Sequence, residues 1–342
     1  MANDLRHAYA DVDGLRLHWA ELGEHTSQTP LVLLHGIADS HLSWHPVAAG
    51  LARDRLVLMP DLPGCGLSGR PDASYELSWQ TRTIAHWLAQ RGFGSYDIIG
   101  HSYGGGVAQM LVLECPERIR RVILVASGGL GRGLGFWLKF ASFPRAVEQW
   151  GQPFMAFGTR RSLRAAHEAS DQRDVLQLAE MNAKPGSARA FSRMVRDVID
   201  WRGQTRMFLQ HAYEIEVFPP IAVFWGERDQ LIPIAQGEAF VGLMRGVQLQ
   251  RFAGSGHFVH RDEPQAFVQA ALAFLDDPNV QPARLPKQVA ELPTRAARTG
   301  PLQQALRAAQ GLRARLLSAR KPQGALDARR ASRASEDSVP TG

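Results

Sequence analysis

The stretch YDIIGHSYGGGVAQM, residues 96–110, decides the fold. It opens as an apolar run at Ile98 and Ile99, breaks across Gly100, His101, Ser102, Tyr103 and Gly104, and resumes with Val107, Met110 and Leu111 at helical spacing. The first run reads as a buried strand and the second as a helix, so Ser102 sits on a strand-to-helix turn. A turn that sharp strains the backbone and lifts the serine hydroxyl clear, while Gly100 and Gly104 remove side chains that would collide with neighbours. The N–H of Tyr103, at the start of the helix, then points where an oxyanion would form. The bare G-x-S-x-G pattern is weak, since many turns contain these residues; its place between strand and helix is what strengthens it.

Outward from this turn the same rhythm repeats. YADVDGLRLHWAEL reads as two strands around Asp13-Gly14, a hairpin signal. PLVLLHG, DRLVLMPDLPG, RVILVASGG, PIAVFWG and VQLQRFAG are further short apolar runs, each ending in glycine or a polar loop and mostly followed by a helix-like segment. Such runs are strands buried on both faces, so we expect a mostly parallel central sheet covered by helices on both faces. From about Gly131 to Phe218 the pattern turns helical and holds Phe136, Trp137, Phe140, Phe143, Trp150, Phe154, Met155 and Phe157, which reads as an inserted all-helical cap. The expected organisation is a core of residues 1–130 and 219–277, a cap of 131–218, and a loosely ordered tail of 278–342.

A serine hydroxyl is a poor nucleophile alone and needs a base and a group to orient it. Ligand-facing loops of a parallel sheet lie at the carboxyl ends of its strands. His35, Asp61, Ser102, Asp229 and His257 all follow strand-like runs. Of the twelve histidines, His7, His18, His25, His41, His45, His86, His167 and His211 lack strand-end context, His35 in LLHG reads as a loop-shaping residue, and His101 beside the serine is set aside because neighbours along a sharp turn point apart. His257 follows the last strand and is the candidate base; His260, nearer the next helix, is its rival. For the orienting carboxylate Asp229 is the candidate and Glu227 the runner-up. Asp61 in DLPG is expected to hold its own loop by backbone hydrogen bonds, and Asp97 lies at the wrong edge of the sheet. Cys65 and Cys115 are too few for a disulfide framework, which fits a reducing compartment.

The net charge of +6 belongs to the tail: residues 281–342 hold 12 Lys+Arg against 4 Asp+Glu, and the remainder 27 against 29. The body therefore has no basic surplus for nucleic acid. In the tail, Leu302, Leu306, Ala309, Leu312 and Leu316 recur at helical intervals among arginines, a pattern suited to an acidic partner or membrane surface, although Gly311 weakens the helix. The N-terminus lacks the apolar stretch of a secretion signal and no run approaches a membrane span, so a soluble cytoplasmic protein is expected.

With LLHG, DLPGCGLSGRP, GHSYGG, GERDQLIP and GSGHFVH in this order, residues 8 to 276 resemble the α/β-hydrolase family, with serine, aspartate and histidine in the family's sequence. The resemblance implies Ser102 as nucleophile, His257 as general base and then acid, Asp229 holding the imidazole, and an oxyanion hole from the backbone N–H groups of Ile37 and Tyr103. Branches of the family with an aspartate nucleophile act on alkyl carbons; Ser102 points instead to acyl chemistry on a carboxylic ester or related substrate, without metal or organic cofactor. Carbon–carbon bond hydrolases, acyltransferases and triad-retaining ligand receptors share the same residues. The cap aromatics suggest a small-molecule substrate with an apolar acyl or aromatic part. Arg132, Arg160, Arg161 and Arg164 are candidates for an anionic group, and Trp44 either lines the pocket or anchors the helix after it.

Overall fold

The computed structural model describes residues 5–135, 145–161, 169–212 and 215–285. Strands β1 (Arg6–Val12) and β2 (Leu15–Leu22) form the expected hairpin. Its two-residue turn places both Asp13 and Gly14 at positive φ, 54° and 82°, the conformation a tight hairpin requires. Then follow β3 (Leu31–Leu34), α1 (His45–Leu51), β4 (Val57–Pro60), α2 (Leu77–Gln90), β5 (Tyr96–His101), α3 (Tyr103–Glu114) and β6 (Ile119–Val125). After an insertion come β10 (Ile221–Gly226), α8 (Ala235–Leu243), β11 (Gln248–Phe252), α9 (Val259–Asp262) and α10 (Pro264–Asp276). They build one eight-stranded sheet in the order β1-β2-β4-β3-β5-β6-β10-β11, parallel from β4 to β11, with the hairpin antiparallel at one edge.

Strand alternation divides the core in two. Val32, Leu34, Ile98, Val122, Leu124, Val223 and Trp225 face α2, α3 and α8, packing with Ile84, Trp87, Val107, Leu111 and Phe240. Leu31, Leu33, Ile99, Ile123, Val125, Ala222 and Phe224 face the other way, onto Trp44, Val47 and Leu51 of the α1 region and Phe267 and Ala271 of α10. Both strand faces are therefore apolar, which is why these strands read as continuous hydrophobic runs.

Between β6 and β10 the described insertion contains α4 (Arg145–Trp150), α5 (Gln152–Arg161), α6 (Ala169–Asn182) and α7 (Ser187–Val198), then a short ribbon of β7 (Ile199–Asp200) and β8 (Gly203–Gln204). Arginines fasten it to the body. Arg70 donates to Ser187 Oγ at 2.9 Å and to the Met181 carbonyl at 3.0 Å. Arg193 of α7 reaches Glu148 of α4 at 2.7 Å and Asp72 of the body at 2.6 Å. These bonds hold the insertion over the carboxyl ends of the strands.

One boundary differs from the sequence expectation. The body was expected to end at Asp277, yet β12 (Ala283–Arg284) pairs with β9 (Val217–Phe218), and Ala283 is fully buried. Ladder bonds, not hydrophobic periodicity, hold this two-residue strand, so it leaves no sequence signal. The amphipathic pattern of residues 302–316 lies outside the described residues, as do Phe136, Trp137, Phe140, Phe143 and Arg164. Among the described residues no helix is long and apolar enough to cross a membrane.

Candidate active site

The candidate side chains stand on loops leaving the carboxyl ends of β3, β5, β10 and β11. At the end of β5, Ser102 has φ 52° and ψ −113°, a strained conformation for a residue with a Cβ. Its backbone is pinned on both sides. The Ser102 N–H donates to the Val125 carbonyl at 2.9 Å, and its own carbonyl accepts from Gly105 at 3.1 Å, Gly106 at 3.4 Å and Gly128 at 3.1 Å. The flanking glycines are required by close approach: a Cβ on Gly104 would lie 2.2 Å from the Leu34 carbonyl oxygen, and one on Gly100 2.6 Å from that of Gly104. Tyr103 begins α3, where the first N–H groups have no acceptor within the helix.

After β10, Asp229 is almost fully buried. Its Oδ1 accepts from the N–H groups of Leu231 at 2.8 Å and Ile232 at 2.9 Å, and its Oδ2 lies 2.8 Å from His257 Nδ1. Because a carboxylate only accepts, Nδ1 carries the proton and Nε2 is the basic nitrogen. Glu227 is solvent-exposed. His260 is fully buried, with Nε2 2.9 Å from Ser43 Oγ and its ring 4.4 Å from Trp44.

His101, next to the serine, joins these loops. Its Nε2 donates to the His257 carbonyl at 3.0 Å, and its ring lies 4.9 Å from that of His257. On the other side, a Cβ on Gly36 would meet His101 Nδ1 at 3.1 Å and Ser102 Cβ at 3.5 Å, so the loop carrying Ile37 touches the serine turn. Burial, with His260 and His257 adding to it, holds the His101 imidazole well below its usual range, and burial beside Arg261 and His257 does the same for His260. Side chains of adjacent residues diverge at a sharp turn, so sequence alone set His101 aside. Its signal was its position: it is the last residue of a buried strand and must meet whatever the neighbouring loops present.

Asp61 holds its loop as expected, accepting from the Leu67 N–H at 2.7 Å, but it does more. It also accepts from the His41 N–H at 2.7 Å, lies 2.7 Å from His18 Nδ1, and lies 3.0 Å from His41 Nδ1. Burial alone would raise its pKa; the His41 and His18 imidazoles outweigh burial and hold the carboxyl well below the usual range. Ring-nitrogen and carboxylate atoms of His18, His41 and Asp61 all lie within 4.8 Å of one another, which is metal-ligand proximity. Two backbone N–H groups and the two imidazoles reach this carboxylate, which gives it the contacts of a loop anchor. His35 is likewise structural: its Nε2 accepts from the Leu62 N–H at 2.9 Å, and its Nδ1 donates to the Gly36 carbonyl at 2.7 Å. Burial pushes the Cys65 thiol up to about 12, which removes it as a nucleophile at neutral pH.

A pocket opens beside Ser102, lined by Ile37, Tyr103, Gly128 and Gly129 and by mostly apolar side chains, with Gln109, Gln204, Arg206 and His211 also on its wall. Among the described cap aromatics, Trp150, Phe154 and Phe157 do not line it, being 69%, 68% and 66% exposed. Met110 and Leu113 of α3, Val195 and Val198 of α7, and Met207 and Phe208 after it supply apolar surface there. Arg132, Arg160 and Arg161 are exposed, and Trp44 is buried against His260 and Phe267 as a helix anchor. One wall of the pocket is a glycine-rich loop after β6, clamped by three buried glutamines. Gln109 Nε2 donates to the Gly128 carbonyl, Gln204 Oε1 accepts from the Gly129 N–H at 2.6 Å, and Gln204 Nε2 donates to Gln236 Oε1 at 3.0 Å.

Known proteins resemble this chain. The family described as alpha/beta hydrolase fold matches residues 29–264. An uncharacterized protein of Mycobacterium tuberculosis (strain ATCC 25618 / H37Rv) is 31% identical over 256 residues, 72% of this chain and 75% of its own. The 2-hydroxymuconate semialdehyde hydrolase of Pseudomonas putida is 28% identical over 259 residues, 72% of this chain and 86% of its own. Among solved structures, the 2-hydroxy-6-oxo-6-phenylhexa-2,4-dienoate hydrolase of Rhodococcus sp. strain RHA1 has a TM-score of 0.68 at 20% identity, over 81% of this chain and all of its own, a likeness of fold.

Proposed function

The chain belongs to the alpha/beta hydrolase fold family, and from that premise we propose that it is a serine hydrolase acting on a carboxylic ester or related acyl substrate. The observation that carries this reading is the bond between His257 Nδ1 and Asp229 Oδ2 at 2.8 Å, which leaves Nε2 basic in a site where Ser102 is held in a strained turn.

In the proposed reaction the Ser102 hydroxyl passes its proton to His257 Nε2 as Oγ attacks the acyl carbon. The carbonyl oxygen takes the negative charge and is met by the N–H groups of Ile37 and Tyr103, each such donor being worth about 10²–10³ in rate. Collapse of the tetrahedral intermediate breaks the bond to the leaving alkoxide, which takes the proton from His257. Water, deprotonated by His257, then attacks the acyl group on Ser102, and the carboxylic acid leaves as the proton returns to the serine. Asp229 stabilises the imidazolium at both stages. No step requires a metal or organic cofactor.

Reaction with a fluorophosphonate probe, followed on the wild type and Ser102→Ala, tests the assignment: label on the wild type alone is expected, and equal labelling of both refutes it. A second reading, hydrolysis of an activated carbon–carbon bond, is favoured by the 28% identity to the 2-hydroxymuconate semialdehyde hydrolase. It predicts loss of a dienoate chromophore with negligible turnover of simple esters.

A further inference from the structure

Helix α3 carries a stripe that its neighbours leave open. Tyr103, Gly106, Met110 and Leu113 follow at intervals of three and four residues, which places them on one face of the helix, and all four line the same pocket as Ser102. Met110 and Leu113 are only partly buried, whereas Leu111 and Val112 between them are buried. Two aliphatic side chains thus keep apolar surface open to the pocket. Val195 and Val198 of α7 and Phe208 line it as well.

The length of this stripe is set by the helix. Tyr103 to Leu113 spans ten residues, and at a rise of about 1.5 Å each this is about 15 Å. A saturated chain with bonds of about 1.5 Å and angles near 111° advances about 1.25 Å per carbon, so about twelve carbons cover the same distance. A compact aromatic acyl group would fill only the first turn and leave Met110 and Leu113 facing empty space. Resting on the serine-hydrolase reading above, we infer that the acyl group is a linear aliphatic chain of about ten to twelve carbons laid along α3, with Gly106 beside its first carbons and Leu113 at its far end.

Gly106 makes the inference testable. A Cβ there would meet only Leu77 side-chain carbons, at 3.5 and 3.7 Å, so the backbone tolerates a side chain that then projects beside another pocket-lining residue. The experiment compares kcat/KM for p-nitrophenyl acetate, butanoate, octanoate, decanoate and dodecanoate in the wild type, Gly106→Leu and Leu113→Trp. In the wild type, kcat/KM rises from acetate to decanoate. Gly106→Leu lowers the decanoate-to-acetate ratio by about tenfold or more. Leu113→Trp, on a partly exposed site that keeps the test alive if the first variant fails to fold, lowers the dodecanoate-to-butanoate ratio and spares the octanoate-to-butanoate ratio. A flat wild-type profile, or variants that reduce every ester by one common factor, overturns the inference. Fluorophosphonate labelling of Ser102 is measured in the same samples: label with a flat profile refutes the chain assignment alone, and absence of label refutes the hydrolase reading beneath it.

Discussion

His260 is completely buried between Trp44 and His101, with ring centroids 4.4 and 4.8 Å away, and burial keeps it neutral in the folded protein well below the usual imidazole range. In the unfolded chain it titrates near 6.5. Below that value the unfolded state binds a proton that the folded state refuses, so stability is retained above about pH 6.5 and falls as pH drops. One such group contributes at most RT ln(1 + 10^(6.5−pH)), a loss of up to about 2 kcal/mol on going from about pH 7.5 to about pH 5. Asp97 and Glu114, which burial raises to about 6 and about 7 against the opposing Arg120 and Arg82, act in the reverse direction over the same range. Wild-type stability alone therefore mixes both signs, and the informative quantity is a difference. Urea unfolding of the wild type and His260→Gln across this range isolates the histidine, since glutamine can still reach Ser43 Oγ and does not titrate. The wild-type-minus-variant stability should shrink toward the acidic end, by up to about 2 kcal/mol. A difference that stays constant would show that His260 protonates as readily in the folded protein as outside it, and would refute the account of a dry, neutral cluster behind the site.

Asp229→Asn should lower kcat by about 10⁴ with unfolding little changed, whereas Glu227→Gln should leave the rate near wild type; steady-state kinetics on one ester compares them, and the opposite ranking would move the orienting role to Glu227. Asp61→Ala strips the acceptor from two backbone N–H groups and two imidazoles in a buried site and should cost about 3–5 kcal/mol in chemical denaturation; a loss below about 1 kcal/mol would mean the His18–Asp61–His41 cluster is not an anchor. Gly104→Ala, which forces a Cβ to 2.2 Å from the Leu34 carbonyl, should abolish labelling of Ser102 even where circular dichroism reports a folded chain. Truncation after Asp277 removes β12 from β9 and should lower Tm by several degrees, while truncation after Leu285 should not.

The sheet was legible because its central strands are buried on both faces. An apolar run such as Leu31–Leu34 or Val122–Val125, closed by glycine or a polar loop, has few other readings. The candidates Ser102, Asp229 and His257 were read from strand ends: Ser102 and Asp229 follow such runs, His257 follows the more exposed edge strand β11, and a parallel sheet gathers those positions at one edge. What escaped was whatever depends on residues meeting across long sequence separations. His18 and His41 carry no local sign that Asp61 will lie between them, and His101 gives none that it will bridge to the His257 carbonyl. Trp150, Phe154 and Phe157 misled because an exposed aromatic and a pocket-lining one look alike in sequence; burial alone separates Phe154 from Phe208.

The turn at Ser102 has one more consequence. Its positive φ is enforced by hydrogen bonds to its own backbone from Gly105, Gly106 and Gly128, and by the Val125 carbonyl that receives its N–H; none involves the hydroxyl. Reactivity and folding are therefore separable at this position: the side chain can be exchanged without disturbing what shapes the turn. Glycine would adopt the same φ without strain, so Ser102→Gly should make the protein more stable, by roughly 1 kcal/mol. On the proposed reading, residue 102 is where the chain keeps a conformational penalty for the sake of its chemistry, and where selection for stability alone would remove the serine.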